Sequence, residues 1–275
     1  MDDAGGTQSI TRGIGLLKIV AEGPPEGLRL AQVAERASLH RATAHRLLAA
    51  LTRERLLEQD ASHRYHAGVE LWVLGAAAAH RFDIGELCRL PLERITAETQ
   101  DTVYLSVRSG YEAVCVARYE GAFPIRTLSL NLGDRRPLGV GSGSLALLAF
   151  LSEADRHEVL DGLSRQLTRY PRFTTTGIRR LMDETRARGY SFVGGTILPG
   201  MSAFGVPILD SHGHAIAALS VAAIDARMAE PRRSKMVRLV QSQATAVSNR
   251  LGAGRRAASA PTARRGVLAA VRLRG

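Results

Sequence analysis

Residues 30–51 read LAQVAERASLHRATAHRLLAAL, and they contain two apolar stripes at helical spacing. The first stripe covers two helical turns and consists of Leu30, Val33, Ala34 and Ala37. The second stripe follows a break at Ser38-Leu39 and consists of Ala44, Leu47, Leu48 and Leu51. Apolar residues at this spacing predict two amphipathic helices joined by a tight turn, the second beginning near His40.

The predicted second helix has a small and basic face opposite its apolar stripe. At roughly 100 degrees per residue, the residues on or beside this face are Arg41, Ala42, Thr43, His45, Arg46 and Ala49. Small side chains let a helix backbone lie deep in the major groove of DNA, where arginine can reach guanine edges or phosphates. The pattern favours a helix-turn-helix with a recognition helix, although an ordinary three-helix bundle with solvated arginines has the same spacing.

The flanking segments complete a winged helix-turn-helix. An apolar pattern from Ile10 to Ala21 predicts a preceding helix, which Gly23-Pro24-Pro25 ends. Residues 56–59 and 64–66 are typical of two short strands joined by residues 60–63, and these strands would form a wing that brings Arg64 to DNA. We therefore assign residues 1–67 to a DNA-binding domain.

Length and charge constrain the rest of the chain. Its 275 residues suit one small and one medium domain, and its formal net charge is +11. Basic and acidic residues balance through His80, so bulk charge does not identify the DNA-binding segment. Much of the excess lies in arginines from Arg250 to Arg274, and we expect a disordered basic tail over residues 254–275.

The N-terminus lacks the pattern of a signal peptide, and no apolar run is long enough to span a membrane. These observations predict a cytoplasmic protein without a membrane partner. Cys88 and Cys115 are the only cysteines, too few for a disulfide framework, and core packing is the simplest interpretation of both.

The chain after the wing predicts a linker helix and a second domain of α+β class. Residues 68–83 contain Trp72 among other apolar residues and a run of alanines, which favours the linker helix. Residues 84–253 mix both periodicities. Their predicted elements are a helix through Leu92 and Ile95, a hairpin containing residues 103–107 and 114–117, strands at 126–130, 204–209 and 215–223, and a closing helix over 231–251.

A glycine-rich turn in the second domain has chemical interest. Residues 139–144 read GVGSGS and lead directly into an apolar helix. Backbone amides at the positive end of a helix can bind a carboxylate, whereas a tight turn that uses glycine only for its geometry is an equal alternative. Neither the Gly-x-Gly-x-x-Gly pattern nor a lysine after the last glycine is present, which disfavours nucleotide binding.

Residues 30–51 closely resemble the DNA-binding segment of IclR-type transcriptional regulators. Thr43 to Leu48 match the Thr-x-x-Arg-Leu-Leu core of that family's recognition helix. The resemblance continues through residues 138–151, 189–203 and 204–221, and it departs at Arg55-Leu56, where the family usually has Gly-Tyr. It implies an N-terminal winged helix-turn-helix, a linker helix that helps pair subunits, and a C-terminal GAF-like antiparallel sheet with helices.

The resemblance also implies an effector pocket on one side of that sheet. Carried onto this chain, the pocket residues are Leu128, Ser142, Gly143, Met201, Ala203, Ser220 and Ala222. Some family members have a cysteine and a second serine where this chain has Ala203 and Ala222, which makes this pocket less polar. We expect a small organic acid with an apolar body, aromatic or branched, and one carboxylate.

Three alternative functions follow from other features. His63-x-x-His66 and His212-x-His214 have the spacing of zinc ligands but lack cysteine or carboxylate partners nearby, so we expect neither a metal nor any cofactor. An enzyme built on Ser142, Ser144 or Cys115 lacks a recognisable base, and the serines do not match Gly-x-Ser-x-Gly. A dimeric DNA-packaging protein would explain the basic tail but not the glycine-rich turn.

We therefore predict a ligand-responsive transcription regulator rather than an enzyme, with a small-molecule enzyme as the alternative. Its expected partners are double-stranded operator DNA, a small organic acid and a second copy of itself in a homodimer or homotetramer. RNA polymerase is a further candidate partner. Recognition helices of paired subunits would enter successive major grooves of a near-palindromic operator.

Overall fold

A computed structural model describes residues 4–81 and 84–259. The chain divides into two compact units, Met1–Asp83 and Ile84–Gly275. Each unit has its own hydrophobic core, as the length of the chain predicts.

The N-terminal unit is a helix-turn-helix with a three-stranded wing. Its elements are α1 (Ala4–Ala21), β1 (Leu28–Arg29), α2 (Leu30–Arg36), α3 (Arg41–Arg53), β2 (Leu57–Gln59), β3 (Arg64–Ala67) and α4 (Val69–Arg81). The strands pair antiparallel in the order β1-β3-β2. The predicted stripes supply the core, because Val33 and Ala34 of α2 and Ala44 and Leu48 of α3 are all buried.

Both turns around α3 use a residue in the left-handed conformation. Ser38 after α2 has φ 52°, and Arg55 after α3 has φ 57°. At the second turn Leu56 N–H donates to Leu51 O and Arg55 N–H to Thr52 O, each at 3.0 Å. This is the Schellman pattern, in which glycine is the favoured residue, and it explains why the family usually has glycine where this chain has Arg55.

The C-terminal unit is an antiparallel sheet covered by helices on both faces. Its helices are α5 (Ile84–Thr99), α6 (Ser142–Ala149), α7 (Glu153–Gln166), α8 (Thr175–Arg188) and α9 (Arg232–Ser259), with 3₁₀ turns at Leu167–Arg169 and Asp225–Met228. Its strands are β4 (Thr102–Ser109), β5 (Glu112–Tyr119), β6 (Arg135–Pro137), β7 (Ser191–Gly194), β8 (Met201–Leu209) and β9 (Ala215–Ile224). The strand order is β6-β5-β4-β9-β8-β7. The combination of helix-turn-helix and antiparallel sheet confirms the predicted α+β class.

Alternate residues along the strands define two cores. On one face Phe204, Val206 and Ile208 pack with residues of α5 and α9. On the other face the core is formed mainly by α6, α7 and α8. All eight residues of α6 are buried, so this helix is enclosed on every side. The first turn of α6 is therefore held in place beside the sheet by its neighbours.

Residues 126–130, predicted as a strand, have no regular secondary structure. Their backbone groups bond to side chains instead of to a neighbouring strand. The Tyr104 hydroxyl donates to Thr127 O and accepts from Ser129 N–H, while Arg136 donates to Ser129 O. The edge of the sheet beside β5 is formed by β6, which the pattern did not predict.

The C-terminal helix is longer than its predicted range of 231–251. Residues 254–259, assigned to a disordered tail, continue α9, so this part of the prediction is wrong. Alanine and arginine are strong helix formers, and the two alanines and two arginines of this run outweigh its one glycine. The rest of the predicted tail, residues 260–275, lies outside the described residues. Among the helices the structure describes, none has both the length and the apolar character to cross a bilayer.

Candidate nucleic-acid interface and ligand cavity

The outer face of α3 carries the residues predicted to contact DNA. The side chains of Arg41, Ala42, His45 and Arg46 are exposed, and Thr43 is half-buried. No carboxylate of the described residues forms an ion pair with Arg41 or Arg46. The helix also begins at His40 without a side-chain cap, which leaves first-turn amides for another acceptor. The face thus combines exposed cations, small residues and first-turn amides without a side-chain cap.

The wing is held together by Asp60. Its carboxylate accepts hydrogen bonds from the backbone N–H groups of Arg64 and Ser62 at 2.9 and 2.8 Å and lies 2.9 Å from the His66 ring. These bonds, that of Arg64 above all, hold the pKa of Asp60 well below its usual value. Arg64 itself is half-buried, and its guanidinium donates to Gly27 O at 3.1 Å. Arg64 therefore joins the wing to the loop before β1, a role that sequence alone did not indicate.

The histidine pairs lie in turns or, for His66, on the adjoining strand β3. His66 bonds to Asp60, while His63 has φ 59° at the tip of the wing. The rings of His212 and His214 lie 6.3 Å apart in the turn before β9. Among the residues described, no three histidine, cysteine or acidic side chains come together as a metal site.

A cavity of about 60 Å³ lies between the sheet and the first turn of α6. Six of the seven predicted pocket residues line it, namely Ser142, Gly143, Met201, Ala203, Ser220 and Ala222. Leu128 does not, and its side chain is 50% exposed. Its neighbours Thr127 and Ser129 line the cavity instead, because the irregular segment that contains them turns Leu128 outward.

The glycines bring backbone unusually close to the cavity wall. A Cβ on Gly143 would lie 3.3 Å from the hydroxyls of both Ser106 and Ser220. Gly141 precedes α6 with φ 94°, a conformation that favours glycine. The N–H groups of Ser142, Gly143 and Ser144 find no acceptor within the described residues. The turn therefore presents amides and two strand hydroxyls to the same small space.

Other cavity residues were not predicted from the sequence. Tyr104, Ser106, Cys115 and Arg136 all line the cavity. Nothing in the pattern separates Arg136 from Arg135 beside it, because both belong to a strand of only three residues. Cys115, interpreted as a core residue, is buried in the cavity wall, and this burial raises the pKa of its thiol. Burial also lowers the pKa of the Arg136 guanidinium.

The chain matches two family models. The model of the IclR helix-turn-helix domain matches residues 9–61, and the model of the bacterial transcriptional regulator IclR C-terminal domain matches residues 76–249. Among curated relatives, the transcriptional regulator BhcR of Paracoccus denitrificans is 29% identical over 86% of this chain and 84% of its own. The regulator KipR of Bacillus subtilis is 25% identical over 89% and 97%.

Solved structures show the same fold. An IclR transcriptional regulator of Alicyclobacillus acidocaldarius has a TM-score of 0.76 and 25% identity, with 89% of this chain and 99% of that chain covered. An IclR homologue of Microbacterium hydrocarbonoxydans, complexed with 4-hydroxybenzoate, has a TM-score of 0.75 and 24% identity over 89% and 99%.

Proposed function

The chain belongs to the IclR family of bacterial transcriptional regulators, and from this premise we propose that it binds a near-palindromic operator through α3 and that a small organic acid in the cavity changes its operator affinity. It is a DNA-binding transcription regulator. The observation that carries the proposal is the outer face of α3, where Arg41 and Arg46 are exposed and no carboxylate of the described residues pairs with them. Arginines left free by the protein are available for phosphates and guanine edges.

The cavity supports the effector half of the proposal. Its wall combines apolar side chains with a few hydroxyls and amides, which is the usual composition of a small-molecule site. Two further observations argue against catalytic turnover in the cavity. The Ser144 hydroxyl donates to Val140 O and Gly141 O, and no histidine or carboxylate lies in the described wall to act as a base. Binding without chemistry is what a sensor requires.

The linker helix supports a homodimer. Val69, Trp72, Val73 and Leu74 of α4 are all exposed, and Trp72 is 75% exposed. Large apolar side chains grouped on one helix are typical of a protein interface. A second copy would cover them and place two recognition helices on one operator, in a dimer or a pair of dimers. We further propose a cytoplasmic location, because a chromosomal operator lies in that compartment. RNA polymerase is a candidate partner for the same reason.

The DNA-binding half is tested by selecting bound fragments from the host genome and titrating the best fragment by fluorescence anisotropy. Arg46→Ala should weaken binding by roughly 1 to 3 kcal/mol if Arg46 bonds a base edge. Arg180→Ala is the matched control, because it removes one exposed arginine from the C-terminal unit. Equal affinity of Arg46→Ala and the control would remove Arg46 from the interface, and absence of any selected fragment would contradict the operator itself.

The effector half is tested by thermal shift across a panel of acids, because a ligand of the folded form raises its melting temperature. Ser142→Phe should abolish the shift and leave DNA binding intact, since it fills the floor of the cavity. A normal shift in this variant would place the effector elsewhere.

A further inference from the structure

Arg136 is the only charged residue in the described wall of the cavity. One of its terminal nitrogens donates to Ser129 O at 2.5 Å. The other lies 3.3 Å from the position that a Cβ on Gly141 would occupy, so the guanidinium stands beside the first turn of α6. A cation and the positive end of a helix therefore meet in one small space.

This arrangement is costly in the absence of an anion. Burial lowers the pKa of Arg136, and no carboxylate among the described residues forms an ion pair with it. A guanidinium taken out of water without a counter-charge destabilises a protein. The neighbouring Arg135 differs in this respect, since it is more exposed and lies 3.3 Å from Glu112. Among the described residues Arg136 is thus the one cation of the cavity wall, and no carboxylate lies within ion-pair distance of it.

Three serine hydroxyls line the same cavity as Arg136. Ser106, Ser142 and Ser220 are 3%, 6% and 5% exposed, and their hydroxyls form no hydrogen bond within the described residues. Because these hydroxyls line the cavity and have no partner there in the described part of the chain, they are available to hydrogen-bond a molecule bound in it. The Ser106 and Ser220 hydroxyls both lie beside Gly143, two residues after Gly141, where an added Cβ would lie 3.3 Å from the Arg136 guanidinium.

We propose that Arg136 binds the carboxylate of the effector and that this ion pair makes the site select acids over neutral analogues. The inference rests on the proposed effector function and names its specificity-determining residue. The first-turn amides of α6 share the negative charge, and the buried serines hydrogen-bond the remainder of the ligand. The volume of about 60 Å³ holds roughly five water molecules, which favours a compact acid.

The test measures binding of acids and their matched neutral amides to the full chain by calorimetry and thermal shift. The probes are lactate with lactamide, isobutyrate with isobutyramide, and 4-hydroxybenzoate with 4-hydroxybenzamide, plus inorganic phosphate. Wild type should bind at least one acid roughly tenfold or more tightly than its amide, the ratio expected for a charged hydrogen bond. Arg136→Gln and Arg136→Met should lower that ratio clearly below the wild-type value, leaving only the preference that the α6 amides supply, whereas Arg135→Met should preserve it.

The ligand-free melting temperature separates this role from a structural one. Removal of a partly buried charge that has no ion-pair partner among the described residues should leave the melting temperature of Arg136→Met equal to or above that of wild type. A lower temperature with an unchanged ratio of acid to amide affinity would make Arg136 a structural residue and overturn the inference. Arg136→Gln keeps a donor for Ser129 O and serves if Arg136→Met does not fold.

The remaining outcomes distinguish the two proposals. If both Arg136 variants prefer acids over amides as strongly as wild type does, the Arg136 assignment is overturned and the proposed regulatory function stands. The same conclusion follows if phosphate binds more tightly than every acid. If no acid of the panel binds wild type while operator binding persists, the effector function fails and the Arg136 assignment fails with it.

Discussion

Asp101 offers the sharpest stability prediction for the C-terminal unit. Its side chain is 2% exposed and bonds Arg227 at 2.7 Å and Arg232 at 2.8 Å. Both guanidiniums also donate to Thr99 O, and Arg227 stacks on Phe123 at 3.8 Å. One carboxylate therefore joins the end of α5 and the start of β4 to the segment that leads into α9.

Asp101→Asn removes the only negative charge in this cluster and leaves two guanidiniums side by side. Loss of one partner from a buried ion pair costs about 3 to 5 kcal/mol, and partial exposure of both arginines places this case near 3. For a unit of this size that corresponds to a decrease of roughly 6 to 12 °C in melting temperature.

Differential scanning calorimetry of the full chain measures this decrease. Glu93→Gln is the control, because Glu93 forms an exposed i,i+4 pair with Arg89 and should contribute at most about 1 kcal/mol. Equal melting temperatures for Asp101→Asn and Glu93→Gln would show that the cluster adds nothing to stability and would refute the reasoning.

Three further predictions concern the N-terminal unit. Arg55→Gly should stabilise this unit by about 0.5 to 1 kcal/mol in urea denaturation. Glycine removes the steric strain of a side chain at φ 57°, and this gain exceeds the larger chain entropy that glycine loses on folding. Unchanged stability would contradict this reasoning. The pKa of Asp60 is lower in the folded chain than the value near 3.9 of an unfolded chain, so ionised Asp60 stabilises the wing above that value. This stability is lost as the pH falls below it. Asp60→Asn should therefore lose less wing structure on acidification than wild type, as measured by NMR. Trp72→Ser should shift sedimentation toward monomer at a fixed concentration, and an identical distribution would exclude Trp72 from the interface.

The sequence was informative where one face of an element is buried and the other is not. The stripes of α2 and α3 predicted both helices, because each stripe had to face the same core. The six pocket residues taken from the resemblance lie together for a similar reason, since the glycine-rich turn and the paired strands β8 and β9 position them through backbone geometry.

The pattern failed where side chains determine the backbone. Residues 126–130 have the composition of a strand, but Tyr104 and Arg136 bond their peptide groups across the cavity. Such long-range bonds leave no local periodicity. For the same reason Arg136 cannot be distinguished from Arg135 until the fold shows that one lies near Glu112 and the other lies in the cavity.

The enclosure of α6 limits how ligand preference can change during evolution. Since every residue of this helix is packed against neighbours, a substitution in it alters the core as well as the cavity. The opposite side includes Leu198, which is 43% exposed, and Met201, which is partly exposed, so changes there disturb little else. New effector preferences should therefore arise by exchange of side chains at this rim, while the helix below it stays constant.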